Sequence, residues 1–280
     1  TMSVASESVY IPGASPAIQT QFARDVDRVA GVLRARLGSN LISILLMGGY
    51  GRGEGSVFLT GEDASWVNDL DFVVLTRIAE ARMRIEELAY ECGRLLNPST
   101  NWRADRSTEL DFHVDINAYT QDELRAFGPT VLHFDLKNAS RLLDGPDLRS
   151  LIPSLTPEHL PANEGLLLLL NRAASLAEAF SSELFASDER STSKHAAQWA
   201  YCFATKAMTD AAAAFLVLRG AYASGRAERI RALQELARSD PWLSAYPDFV
   251  RLAIRAHERK GVITPDTLTS AAADWREARS

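Results

Sequence analysis

The chain has 280 residues, of which 46% are hydrophobic and 24% charged, an ordinary balance for a soluble globular protein with about two domains and a sizeable core. A formal net charge of −6 argues against a protein that coats nucleic acid, whose domains are usually basic. Residues 1–12 lack the basic start and apolar core of a signal peptide, and the longest apolar run, residues 211–218, is short of a membrane span. The expectation is therefore a cytoplasmic protein with no membrane partner, and Cys92 and Cys202 read as two buried, reduced thiols.

In chain order, Ser15-Pro16 opens a helix in which Phe22, Val26, Val29, Val32, Leu33 and Leu37 recur at helical spacing, with Gly38 as its natural end. Residues 41–47 form a short Ile/Leu-rich run that reads as a buried strand. It delivers the chain into Gly48-Gly49-Tyr50-Gly51-Arg52-Gly53-Glu54-Gly55. Paired glycines after a strand let the backbone turn tightly and bring bare N–H groups to a ligand, and such groups favour phosphate. Residues 56–68 are polar and mixed and read as a loop beside that turn.

A second apolar run opens with Asp69 and Asp71. Side chains alternate along a strand, so these carboxylates at i and i+2 point the same way. Two hard oxygen ligands on one face suit Mg²⁺, together with waters and substrate phosphates. The glycine cluster fits neither a dinucleotide fingerprint, since Glu54 or Ser56 falls where the third glycine belongs, nor a Walker loop, since no Gly-Lys-Ser/Thr follows.

Residues 78–96 carry a helical pattern ended by Asn97-Pro98-Ser99. In residues 110–116, Leu110, Phe112, Val114 and Ile116 alternate with Asp111, His113 and Asp115, the period of a half-buried strand. A zinc site at His113 would need more ligands than lie nearby in sequence, so His113 is expected at the surface or behind other ligands. A short helix, the apolar stretch 131–136 and an edge strand at 141–143 follow. Pro153, Pro157 and Pro161 then space out a linker, giving domains at 1–157 and 158–280. Beyond Ala162, alanine and leucine dominate and strand signals vanish. Helices are expected at 163–184, 192–219, 226–238, 249–260 and 265–278.

Gly48-Gly49 followed by Asp69-Leu70-Asp71 resembles the signature of the DNA polymerase beta-like nucleotidyltransferase superfamily, over roughly residues 17–150. The loop 49–54 looks most like that of the uridylyltransferases that modify the PII signalling protein. This chain departs from the pattern in the nineteen residues between Gly49 and Asp69, a longer connection than the family's. No His-Asp dipeptide occurs in these 280 residues, so those enzymes' hydrolase activity and its regulation are not expected of them.

The resemblance implies an α+β fold: a small mixed β-sheet domain with helices, followed by an all-α bundle, with the active site in the cleft between them. It implies transfer of a nucleotidyl group from an NTP, ATP among them, to an acceptor with release of pyrophosphate. Two Mg²⁺ ions would be held by Asp69, Asp71 and a third carboxylate, Asp115 by its place before the strand end, with Asp111 as the alternative. Gly48, Gly49 and Arg52 would hold phosphate oxygens. Lys206 and Arg172 are candidate cleft cations along with Lys194, although Lys206 and Asp210, one helical turn apart, read first as a surface pair. A small-molecule or protein acceptor fits the acidic charge better than nucleic acid. The competing reading is a catalytically silent nucleotide- or protein-binding module, such as half of a toxin–antitoxin pair.

Overall fold

The computed structural model describes residues 9–61, 63–67, 69–97, 113–179 and 194–268. The fold is mixed α+β, as expected from the sequence. The described residues fall into two compact units. The first takes in those within 9–97, 113–128 and 135–153, and the second those within 129–134 and 154–268.

The strands of the first unit are β1 (Leu41–Leu46), β2 (Val57–Thr60), β3 (Asp63–Trp66), β4 (Leu70–Thr76), β5 (Val114–Tyr119) and β6 (Arg141–Asp144). Four of them form a mixed sheet in the order β5-β4-β1-β6. β1 runs antiparallel to β4 and β6, with Leu46 opposite Phe72, while β4 and β5 are parallel. Ile44, Leu45 and Leu46 of β1 and residues 72–75 of β4 are buried, which is why these strands read as continuous apolar runs rather than alternating ones. β5 alternates instead, burying Val114, Ile116 and Ala118 while Asp115 and Asn117 stay exposed. The part of the expected strand at 110–112 lies outside the described residues.

Helix α1 (Pro16–Leu37) starts where Ser15 Oγ accepts a hydrogen bond from the Ile18 amide, and ends at Gly38, whose φ of +52° suits glycine. It buries Phe22, Val26, Val29, Leu33 and Leu37. After the one-turn helix α2 (Gly48–Gly51) and a 3₁₀ stretch at Ala79–Arg84 comes α3 (Ile85–Leu96). α3 packs against α1 and β5 and buries Leu88 and Cys92. Residues 131–136 belong to a helix, Val131–Ala139.

Residues 56–68 are not a plain loop. β2 and β3 pair as a hairpin, with Thr60 opposite Asp63 and Gly61 at φ +65° in the turn. The short apolar run Val57-Phe58-Leu59, set among polar residues, forms the first strand, and aromatic packing from further off holds the hairpin in place. The buried Tyr50 hydroxyl donates to Ser56 O (2.7 Å) and accepts from the Val67 amide (3.2 Å), tying both ends of the hairpin to one side chain. The Tyr50 ring stacks on Phe22 at 4.2 Å between centroids, and Trp66 meets Phe22 edge-on at 5.1 Å. Trp66 Nε1 also donates to Asp25 of α1 at 3.0 Å.

The second unit is helical, with helices at Ala162–Ala179, Lys194–Leu218, Arg226–Leu236, Pro241–Ala245 and Pro247–Glu258. Elements not expected include the helix Pro241–Ala245, capped by Asp240, and a short strand at Val262–Ile263. The helices at 162 and 194 approach closely at Gly165, where a Cβ would stand 2.9 Å from Ala214 O. Within Lys194–Leu218, residues 201–218 are apolar enough for a membrane span by length and composition, but 56% of that stretch is buried inside the protein, as in a core helix. Asp210 pairs with Arg172 at 2.7 Å rather than with Lys206, which corrects the expected surface pair. The Lys194 side chain lies outside the described residues.

Both thiols are buried, and burial pushes each up to about 12, so little thiolate exists at neutral pH. Ellman's reagent should leave native protein unmodified and titrate both cysteines in guanidinium. Rapid labelling of the native chain would contradict this packing.

Candidate active site

The site forms at one end of the sheet, where β1 finishes and β4 and β5 begin. The Met47 amide donates to Asp71 O at 2.7 Å, which fixes the entry to α2 against the start of β4. α2 is a single turn, so its leading amides at Gly48 and Gly49 have no acceptor within the helix. Gly48 has φ +62°, and a Cβ there would stand 1.9 Å from Asp71 Oδ2. The conformation therefore requires glycine, and with glycine there the Asp71 carboxylate can lie over the bare Gly48 Cα without being displaced. Gly49 is different: an added Cβ would meet nothing closer than Glu54 O at 3.5 Å, an ordinary contact. Packing within the chain does not account for glycine at that position.

The carboxylates are gathered by strand register. In the parallel pairing, Leu70 lies opposite Val114 and Asp71 opposite Asp115. Because faces alternate, Asp71 and Asp115 share one face, and Asp69 and His113, each two residues earlier, join it. Leu70 N donates to His113 O at 3.1 Å, which holds this start of the ladder. His113 stands between two acids, with Nδ1 3.2 Å from Asp69 Oδ1 and Nε2 3.4 Å from Asp115 Oδ2.

One potential ligand atom each from Asp69, His113 and Asp115 lies within 4.8 Å of the others. Asp69 and His113 are half-buried and Asp115 is exposed, so the cluster is open to solvent. A cavity of about 150 Å³ between α3 and β5 is lined in part by His113 and Asp115. Hard carboxylate oxygens converging on a solvent-accessible face, with Asp71 cradled alongside by Gly48, are a donor set that fits a divalent cation.

Asp69, Asp71 and Asp115 are thus brought to one face, and Gly48 and Gly49 lie beside them. Asp111, the alternative third carboxylate, lies outside the described residues. Arg52 has a different engagement from the phosphate contact expected of it. Its guanidinium is held by Glu54 (Nε to Oε2, 3.1 Å) and Asp135 (Nη1 to Oδ2, 3.1 Å), with all three side chains largely buried. Sequence reasoning missed this because Asp135 is 83 residues away. It also undervalued His113, whose role depends on a register that one strand's sequence does not reveal.

No family model matches the chain, and no curated protein matches it. Among solved structures, the spectinomycin adenyltransferase AAD(9) from Enterococcus faecialis, with ATP and spectinomycin, is similar at 16% identity and a TM-score of 0.43, over 84% of this chain and 89% of that one. A similarity at that level leaves the activity of this chain to its own residues. The similar protein is an adenyltransferase, and the PII-uridylyltransferase detail of the loop remains a sequence resemblance.

The Arg52 geometry separates two roles. If it neutralises two buried carboxylates, Arg52→Leu should destabilise the fold by about 3–5 kcal/mol, because Glu54 and Asp135 both lose the cation that bridges them. Urea denaturation measures this. An unchanged midpoint with a raised KM for nucleotide would instead identify a ligand contact.

Proposed function

We propose that this chain is a metal-dependent nucleotidyltransferase that moves an NMP from an NTP to an acceptor and releases pyrophosphate. The observation that carries the reading is the placement of Asp69, Asp71 and Asp115 on one face of two parallel strands, with Asp71 against the glycine turn that ends β1.

Asp69, Asp71 and Asp115 would hold the divalent ions, two Mg²⁺ in the simplest case. When bound, such ions lower the pKa of the acceptor group and neutralise charge on the triphosphate and the leaving pyrophosphate. The protein's own residues supply position. The bare Gly48 and Gly49 backbone lets phosphate oxygens approach the amides, and the absence of a packing reason for glycine at residue 49 supports this use. Asp115 is the most exposed of the three acids, which supports giving it the acceptor's proton in this reading. Arg52 serves indirectly in this reading, by fixing the Glu54 side of the loop. The acceptor is a small molecule or a protein rather than nucleic acid, in keeping with the net charge of −6, and the chain works in the cytoplasm.

Asparagine at residue 69 keeps an oxygen for the His113 contact and removes one of the clustered negative charges, so this change should not weaken the apo fold. Asp69→Asn is expected to keep its melting temperature. It should lose transfer of label from NTP by about a thousandfold or more, since a lost metal forfeits several kcal/mol and each 1.36 kcal/mol is about tenfold. Incubation of labelled NTPs with Mg²⁺ and cell extract, wild type against variant, reads this out. A variant that melts much earlier yet transfers label normally would make Asp69 a structural carboxylate and remove the main support for the enzyme reading.

A further inference from the structure

We propose that His113 is itself a metal ligand, so that the site takes a first-row transition ion with an affinity that three carboxylates alone would not give. This rests on the nucleotidyltransferase reading and adds a nitrogen donor to its metal site. The sequence puts the imidazole on the same strand face as Asp115 but not beside Asp69. The parallel register sets His113 beside Asp69 across β4 and β5, and the two ring nitrogens lie 3.2 and 3.4 Å from Asp69 and Asp115 oxygens. The three potential ligand atoms, one nitrogen and two oxygens, lie within 4.8 Å of one another, close enough to share one ion.

Asp71, opposite Asp115 in the parallel register, offers a further carboxylate on the same face. One ring nitrogen would ligate together with the acid it faces, while the other would donate its proton to an oxygen of the opposite acid, which would fix the tautomer and orient the ring. The donor set then mixes imidazole with carboxylate. Mg²⁺ takes oxygen ligands and gains little from the nitrogen, whereas affinity for a nitrogen- and oxygen-donor site rises across the first-row series from Mn²⁺ toward Cu²⁺. The side chain is 43% exposed, so an ion reaches it without unfolding the strand.

The test uses the whole chain with metal alone. Calorimetric titration of Co²⁺ and of Mg²⁺ into wild type and His113→Ala should show the ratio of Co²⁺ to Mg²⁺ affinity falling tenfold or more in the variant, with Mg²⁺ affinity nearly unchanged. Electron spin-echo spectra of bound Mn²⁺ should carry ¹⁴N modulation from a coordinated imidazole in wild type and lose it in His113→Ala. The wild-type spectrum needs no variant, so a misfolded His113→Ala would leave the proposal testable. Metal binding with an unchanged affinity ratio, or a wild-type Mn²⁺ spectrum without ¹⁴N modulation, overturns the role of His113 and leaves the three carboxylates standing. Failure of the wild type to bind any of these ions overturns both this proposal and the metal-dependent reading beneath it.

Discussion

The parallel pairing of β4 with β5 is the constraint on which the site depends. A one-residue slip in that ladder would send Asp115 to the opposite face from Asp71 and replace it with an apolar neighbour, because side chains alternate along each strand. The register is secured from the apolar side. Leu70, Phe72 and Val74 in β4, and Val114, Ile116 and Ala118 in β5, are all buried, so a slip would expose one set and bury the acids. The free energy that fixes the chemistry is thus mostly hydrophobic burial a few ångströms from the charges it positions.

A second constraint acts on the glycine turn. Gly48 must be glycine for its backbone conformation, and Gly51 must be glycine because a Cβ there would stand 2.3 Å from Leu46 O. Tyr50, between them, is fully buried and ties the turn to α1 through Phe22 and to the hairpin through its hydroxyl. Arg52 adds the ion pairs to Glu54 and Asp135. The turn is therefore clamped on three sides, which is how a glycine-rich segment is held in one shape despite the conformational freedom of its residues.

Much of this was legible in the sequence because it rests on local pattern. The helix from Ser15-Pro16 to Gly38, the apolar strands before Gly48 and after Asp69, and the alternation that gives Asp115 an exposed face all follow from periodicity and end signals within a dozen or so residues. What escaped depended on partners far away in the chain. The hairpin at 57–66 is held by Tyr50 and Trp66 packing on Phe22, and its one local signal, the three-residue apolar run Val57-Phe58-Leu59, is short and set among polar residues. Asp135 captures Arg52 across 83 positions, and His113 finds Asp69 only through the strand register. The short strand at Val262–Ile263 is two residues long, below what any periodicity detects.

In the proposed function, Asp69, Asp71 and Asp115 hold metal together against the glycine turn. The most direct measurement is a crystal structure grown with Mn²⁺ and a non-hydrolysable ATP analogue, with the metal located by anomalous scattering. The account predicts anomalous density within about 2.5 Å of oxygens from these three residues, near the usual ligand distances for small divalent ions, with the analogue's phosphates beside Gly48 and Gly49. Ordered nucleotide and metal elsewhere on the chain, with these carboxylates left facing solvent, would contradict it.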